Sequence, residues 1–459
     1  MNITLKHIPL QDGYAPGADA ITPSVPASEY ERRIRAAYDA AQADWLVVYA
    51  DREHTANLTF LCGFDPRFEE ALLVVGPREK PTLILGNEGM GYTSAAALPL
   101  NFVLCQSLSL MGQPRGVAPR LGAVLAAAGL ADGASVGVVG WKYMEADECD
   151  DPSAPAFVPA FVLAALRKAA GASARIFDAT HILMHPTHGL KSQNSAAQIA
   201  VFAQAAERAG SAVMRITRGA RPGMTEREAF ALSAYEGDPL TCYSMLSCAS
   251  NEPIVGLRSP SSRRLAYGDG ITTAIGLRGS LACRAGILTA TPSADFIARY
   301  VLPYAKAIHT WWGSLRMGLA GGEMFGAVMN ALDGAAFAPA LNPGHLISID
   351  EWTHTPIFPA STMALASGMA LQCDIIPTPM PDGTALNCED TAAIADAQLR
   401  AEIAAAYPDL WRRIQARRAF IQTALGIPLA EEVLPLSYAA CYFAPFWLDA
   451  DLVCVNSEV

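Results

Sequence analysis

Hydrophobic residues in the first part of the chain form short runs between turn-forming residues. Four runs are rich in branched side chains and are bounded by Gly, Pro or Asp: 45–50, 71–75, 82–85 and 136–139. This pattern predicts buried strands. Apolar residues at helical spacing predict helices near 28–42, 120–131 and 160–170, and Ser28-Glu-Tyr-Glu31 has the form of a capping box. The alternation indicates an α/β domain with helices on the faces of a sheet.

Further along the chain, longer helical patterns alternate with strand-like runs. We predict helices over 192–218, 294–318 and 396–425, a short helix from 321, and another that opens at the capping box Thr225-Glu-Arg-Glu228. Trp311 and Trp312 are expected in the core. Strands are predicted at 245–250, 271–276, 281–289, 346–350 and 369–376. This order is typical of an antiparallel sheet with helices packed against it. The segment 185–189 between the halves is interpreted as a linker, which gives domains 1–185 and 186–459.

Composition narrows the class of protein. The 459 residues, 52% of them hydrophobic, have ample volume for one large or two ordinary domains. A net charge of -11 disfavours a nucleic-acid partner. No apolar stretch reaches the roughly 18 residues of a membrane helix, and the first residues do not have the form of a leader. Ten scattered cysteines without a CxxC pair suggest reduced thiols. We therefore expect a cytoplasmic protein with no membrane partner.

Several short motifs follow one another between residues 222 and 390. They are Pro222-Gly-Met-Thr225, the stretch 267–276, Gly344-His345, Gly368-Met369 before Asp374, and Glu389-Asp390. Their order resembles that of the creatinase, aminopeptidase P and prolidase family, and such an order is much less expected by chance than any single motif. The resemblance implies that an α+β pita-bread domain, the catalytic domain of the family, follows the α/β N-terminal domain.

The same resemblance implies a metal site that this chain has partly lost. The family places metal-binding aspartates at two positions, eleven residues apart, that are Ala274 and Ala285 here. Its enzymes use two divalent cations to activate water. Alanine offers no ligand atom, so we expect no metal cofactor. A single divalent metal at His345, Asp374 and Glu389 is the alternative, since these residues offer one nitrogen and two carboxylates.

Creatinase is a metal-free precedent in the family and implies acid-base roles for the retained groups. His345, Asp374 and Glu389 are then the proton-handling residues, and His354 is a second candidate for the proton shuttle. The alternative for the two carboxylates is a structural ion pair with Arg284 or Arg258.

Cys283 lies two residues before Ala285, on the same face of its predicted strand. It is a candidate contact for substrate. A plain buried cysteine is the alternative to a nucleophile, because no histidine near it in sequence could activate it.

Three further residues are candidates for substrate binding. Arg258 lies where relatives place a loop histidine, and its planar guanidinium suits an anionic group. Phe64 and Arg67 resemble the creatinase residues that touch substrate bound to the neighbouring subunit, which implies a homodimer. A surface loop is the alternative for that segment.

The sequence thus predicts a metal-independent, creatinase-like hydrolase or lyase that acts on a C–N bond of a small polar, zwitterionic metabolite. One alternative is a catalytically inactive pita-bread binding protein. Another is an Xaa-Pro aminopeptidase-like metallohydrolase with a rearranged metal site that uses Asp269 or Asp350. An enzyme is preferred because the chain does not carry the long acidic tail of histone-binding relatives. Analogy of fold does not identify the substrate.

Overall fold

The computed structural model describes residues 1–10, 22–77 and 80–458. Contacts divide the chain into a smaller unit, residues 25–191, and a larger unit formed by 1–24 with 192–459. The first strand, β1 (Ile3–His7), pairs with the last strand of the chain and so belongs to the larger unit. The division into independent domains 1–185 and 186–459 remains a prediction.

The smaller unit is built on a six-stranded mixed sheet in the order β5-β4-β3-β2-β6-β7. Its strands are β2 (Trp45–Ala50), β3 (Ala71–Val75), β4 (Thr82–Leu85), β5 (Asn101–Leu104), β6 (Ser135–Val139) and β7 (Arg175–Asp178). All residues of β2 and β3 are buried, as their continuous apolar runs require. The four strands predicted from the sequence are confirmed.

Helices cover this sheet as predicted. They are α1 (Ala27–Ala41), α2 (Ala56–Cys62), α3 (Asn87–Gly91), α4 (Leu121–Ala128), α5 (Ala160–Ala170) and α6 (His181–Met184). Val124 and Leu166 join Val47 and Leu72 of the sheet in one core. The capping box predicted at Ser28 is wrong, because α1 begins one residue earlier, after Pro26, and Ser28 lies inside its first turn.

The larger unit contains an antiparallel sheet in the order β12-β13-β15-β10-β9-β8, with β16 also paired to β15. The strands of this unit after β1 are β8 (Met245–Ala249), β9 (Gly270–Leu277), β10 (Ser280–Ile287), β11 (Ala338–Pro339), β12 (His345–Leu346), β13 (Ala370–Cys373), β14 (Pro377–Thr378), β15 (Asn387–Ile394), β16 (Val433–Pro435) and β17 (Leu452–Asn456). The predicted antiparallel sheet is confirmed. The strand predicted over 346–350 is shorter, since only two residues of β12 pair.

The described part of the larger unit has seven α-helices in addition to this sheet. They are α7 (Ala196–Gly219), α8 (Glu226–Ala231), α9 (Ala294–Phe296), α10 (Leu302–Ser314), α11 (Gly321–Ala331), α12 (Ala397–Ala406) and α13 (Pro408–Thr423). The capping box at Thr225 and Glu228 is confirmed, and Trp311 and Trp312 are fully buried, as predicted. The single helix predicted over 396–425 is wrong. It is two helices, because Pro408 lacks the amide hydrogen that a helix interior needs.

The long helix α7 packs on β9 and β10 and fixes which residues face the other way. Ile271, Ile275 and Ala282 share a core with Val213 and Ile216 of α7. Because side chains alternate along a strand, the residues between them point away from the helix. Among the described residues, no helix is long and apolar enough to cross a membrane.

Candidate active site

A cavity of about 630 Å³ lies on the side of the sheet that faces away from α7. Alternate strand residues form its floor: Thr272 and Ala274 of β9, Leu281, Cys283 and Ala285 of β10, and Asn387 and Glu389 of β15. In the strand register Cys283 lies opposite both Ala274 and Glu389. The sheet therefore brings residues that are distant in sequence to one surface.

Ala274 and Ala285 both line this floor and are nearly completely buried. These are the positions at which the resemblance places metal-binding aspartates. With alanine instead of aspartate at both positions, the site lacks two carboxylate ligands and their two negative charges. The residues present therefore do not fit a pair of bridged divalent cations.

His345 is fully buried and lies next to, but not among, the described residues that line the cavity. Gly344 before it has φ +116°, and a side chain there would bring its Cβ within 2.7 Å of the Gln372 carbonyl oxygen and 2.9 Å of Trp311 Nε1. The fully buried imidazole stacks on Trp352, with ring centroids 4.0 Å apart.

The tautomer and charge of His345 follow from its surroundings. Nδ1 lies 3.2 Å from the Leu346 carbonyl oxygen, which can only accept, so Nδ1 carries the hydrogen. Burial lowers the pKa of His345 to about 4, so the ring is neutral near pH 7. Nε2 lies 3.3 Å from Glu351 Oε1, but this contact does not have hydrogen-bond geometry.

Three carboxyl groups line the cavity: Glu351, Asp374 and Glu389. Burial is the main cause that raises the pKa of each above its ordinary value, and mutual repulsion adds to it for Glu351 and Glu389. Glu389 Oε1 accepts a hydrogen bond of 3.2 Å from Gln372 Nε2, whereas Asp374 Oδ1 is buried without a hydrogen bond. These groups favour their protonated forms much more than exposed carboxylates do.

Arg284 and Arg258, the predicted ion-pair partners of Asp374 and Glu389, form ion pairs with other carboxylates instead. Arg284 Nη2 lies 3.1 and 2.9 Å from the two carboxylate oxygens of Asp390. Arg258 lies 2.8 Å from Glu226, which also accepts hydrogen bonds from the backbone amides of Cys248 and Ser261. The cavity carboxyls are therefore not part of these structural ion pairs.

The structure does not bring all predicted site residues together. Arg258 and His354 lie outside the set of described residues that line the cavity. Arg258 is turned towards the carboxylate of Glu226, and His354 Nδ1 accepts a 2.8 Å hydrogen bond from the Thr355 amide. Cys283 does line the cavity, but burial and then Glu389 raise the pKa of its thiol well above the usual value. Cys283 is therefore a neutral thiol rather than a nucleophilic thiolate.

Phe64 and Arg67 belong to the smaller unit. Phe64 is fully buried and its ring lies 5.6 Å from that of Tyr92. Arg67 is exposed, has φ +62°, and its guanidinium lies 3.8 Å from Asp65. Their contact with a substrate of the neighbouring subunit stays a prediction.

Sequence reasoning missed Glu351 and its neighbour Trp352. Both line the cavity, and the ligand atoms of His345, Glu351 and Glu389 lie within 4.8 Å of one another. These three residues, rather than the predicted set with Asp374, could hold one metal ion. The available signal was an acidic and an aromatic residue between the two candidate histidines, His345 and His354.

Comparisons with known proteins bear on the fold. No family model matches the chain, and no curated protein does. Solved structures match over most of their length: the dipeptidase PepE of Mycobacterium ulcerans (21% identity, TM-score 0.59, 81% of this chain and 94% of the other) and the prolidase of Pyrococcus horikoshii (16%, 0.61, 80% and 95%). The X-Pro aminopeptidase of Thermotoga maritima also matches (12%, 0.58, 78% and 95%).

The order of helices and strands, the antiparallel sheet with its cavity, and these structural matches agree with the motifs found in the sequence. The protein therefore has the pita-bread fold of the prolidases and aminopeptidases P.

Proposed function

We propose that this protein is a hydrolase that cleaves a C–N bond of a small molecule by acid-base chemistry at the cavity carboxyls, without a pair of metal ions. The observation that carries the proposal is the grouping of Glu351, Asp374 and Glu389 in one cavity whose floor has alanine at positions 274 and 285. Structural neighbours that are dipeptidases and prolidases support hydrolysis as the reaction class.

The three carboxyls can perform both proton transfers of hydrolysis. One that has kept its proton donates it to the leaving nitrogen as the C–N bond breaks. A second, ionised, takes a proton from the water whose oxygen forms the new C–O bond. Mutual repulsion favours this mixture of protonation states, because three like charges close together in one cavity are costly. In a lyase the same donor would protonate the leaving nitrogen, and the ionised carboxyl would take a proton from the adjacent carbon as the C–N bond breaks and a C=C bond forms.

Supporting residues have positioning roles. Gln372 bridges the Leu281 carbonyl oxygen, at 2.6 Å, and Glu389 Oε1, at 3.2 Å, and so fixes the Glu389 carboxyl. Neutral His345 has Nε2 3.3 Å from Glu351 Oε1 and packs beside this carboxyl, but its lowered pKa leaves the proton on Glu351.

The test is turnover of a panel of amides, cyclic amides and guanidines by the metal-free protein. Glu389→Gln and Asp374→Asn should each lower the rate by about 10²–10⁴-fold, the usual contribution of a general acid or base. Glu31→Gln, on an exposed residue of α1, is the matched control and should have no effect. Full activity of both cavity variants would contradict the proposal.

A hydrolase with one metal ion is the second candidate. It is favoured by the ligand atoms of His345, Glu351 and Glu389 within 4.8 Å of one another, and by Asp374 Oδ1, which has no hydrogen bond. A bound divalent ion would activate a water molecule. Titration with Mn²⁺ or Zn²⁺ separates the candidates: micromolar binding that Glu351→Gln abolishes would favour the metal enzyme.

A further inference from the structure

Large apolar side chains are exposed around the mouth of the cavity. Five residues that line it are among the most exposed hydrophobic residues of the larger unit: Tyr243 (75% exposed), Leu257 (86%), Leu341 (51%), Trp352 (38%) and Ile376 (39%). Single exposed hydrophobic residues are ordinary, but a group of them at one opening is characteristic of a ligand site. We call these five residues the apolar rim.

The floor below the apolar rim has the opposite character. Its ionisable oxygens are those of Glu351, Asp374 and Glu389, and no Lys, Arg or His is among the described residues that line the cavity. An anionic group that entered would meet these three carboxyls and no cationic side chain of the described lining. Arg258, the residue predicted to bind an anion, lies 2.8 Å from Glu226 and not in this lining.

The size of the cavity adds a third constraint. At about 630 Å³ it lies within the usual range of about 300–1,000 Å³ for small-molecule sites. A two- or three-carbon amine would fill only a small part of it. A ligand that fills the cavity would extend from the carboxyls to the apolar rim.

We infer that the substrate is a hydrophobic cation: an aryl or branched alkyl group at the apolar rim, joined to a protonated amine, amidine or guanidine at the carboxyls, and no carboxylate. The cationic nitrogen donates hydrogen bonds that Asp374 Oδ1 and Glu389 can accept. The apolar group removes the exposed rim side chains from water. This inference rests on the proposed function, since it takes the cavity as the place of reaction.

The test uses three probes that separate charge from hydrophobicity: 4-phenylbutylamine, 4-phenylbutyrate and n-butylamine. Calorimetric titration at pH 8 should give an affinity for phenylbutylamine at least tenfold higher than for the other two. Leu257→Ser should weaken the binding of phenylbutylamine severalfold without changing the affinity for n-butylamine. Val117→Ser, at an equally exposed residue of the smaller unit (87%), is the matched control.

The charge requirement has its own test. Glu389→Gln should remove most of the preference for phenylbutylamine over the neutral 4-phenylbutanol, whereas circular dichroism checks that the variant folds. Binding of phenylbutyrate as tight as that of the amine would overturn the inference.

Turnover separates this inference from the proposed function. If the amine binds but no amide or guanidine of the same skeleton is hydrolysed, the hydrolase proposal fails and the ligand class stands. If a substrate with a carboxylate is hydrolysed and the amine does not bind, the ligand class fails and the hydrolase stands.

Discussion

Glu389 and Asp390 are adjacent in the sequence but lie on opposite faces of β15 and in opposite electrostatic surroundings. Glu389 faces the cavity, where its neighbours are two further carboxyls, while Asp390 is fully buried beside the guanidinium of Arg284. Because successive side chains of a strand point to opposite faces of the sheet, Glu389 enters the cavity and Asp390 enters the protein core.

Replacing each of these acids by its amide should change stability in opposite directions. Asp390→Asn leaves Arg284 charged and buried without its partner, so the free energy of unfolding should fall by about 3–5 kcal/mol. Glu389→Gln removes one of three repelling carboxyls and should stabilise the ligand-free protein slightly. Urea unfolding of the two variants measures both. A loss of several kcal/mol in Glu389→Gln would mean that Glu389 is a structural residue.

Stability should fall as the pH rises from about 6.5 to 8.5. Burial raises the pKa of Asp374 to about 7 and that of Glu351 to about 8, well above the ordinary value of about 4. The folded state then holds more protons than the unfolded chain, and the stabilisation present at low pH is lost as these groups ionise. His345, with a pKa lowered to about 4, acts in the opposite sense, but only below about pH 6.5.

Thermal unfolding across this pH range measures the effect, which should be on the order of 1–3 kcal/mol in total. Glu389→Gln should reduce this pH-dependent loss of stability, because Glu351 and Asp374 then repel one carboxylate fewer. Glu31→Gln should leave the pH profile unchanged. A wild-type profile that is flat above pH 6.5 would show that the three carboxyls are already ionised or paired.

The purified protein should contain well below one equivalent of Mn, Zn, Co or Fe, and EDTA should not change its melting temperature. The reason is the pair of alanines at 274 and 285, which leaves too few carboxylates for two cations. Elemental analysis measures the content. Two tightly held metals per chain would refute this prediction.

The variant Ala274→Asp/Ala285→Asp should acquire metal-dependent stability. Without a cation, two added carboxylates beside Glu389 should lower the melting temperature, and millimolar Mn²⁺ should restore it. Ala274→Asn/Ala285→Asn, similar in size but uncharged, is the control and should gain much less from Mn²⁺. If Mn²⁺ gives the Asp variant no advantage over this control, factors other than the two missing carboxylates prevent metal binding.

We expect a homodimer in which Arg67 of one chain reaches the ligand of the other. Light scattering should give twice the mass of a single chain. Arg67→Ala should weaken ligand binding without loss of the fold, since Arg67 is exposed, whereas Arg35→Ala on the exposed part of α1 should not. A monomer at working concentrations would contradict the prediction.

Local patterns predicted most of the fold and the floor of the site. The strands that carry Ala274 and Cys283 were predicted because their apolar runs are bounded by turn residues. The strand of Glu389, β15, was not predicted, and Glu389 was found only through its motif. His345 was a candidate because Gly344-His345 resembles the glycine-histidine pair of the family. The structure adds that a side chain at Gly344 would clash with the Gln372 carbonyl oxygen and Trp311.

Glu351 and Arg258 show where such patterns fail. Glu351 reaches His345 because the chain folds back so that Leu346 pairs with His354, a tertiary feature without a motif. Arg258 was placed by its sequence neighbours, but its direction is set by Glu226 on α8, 32 residues earlier. In both cases the decisive contact depends on how distant segments meet, which residue spacing does not encode.

Trp352 has a consequence for how the site can be observed. Its indole stacks on neutral His345, is 38% exposed, and is the one tryptophan among the described residues that line the cavity. Indole emission shifts to shorter wavelength when water is removed from the ring. The molecule therefore carries its own optical reporter, and occupancy can be followed in real time without a label.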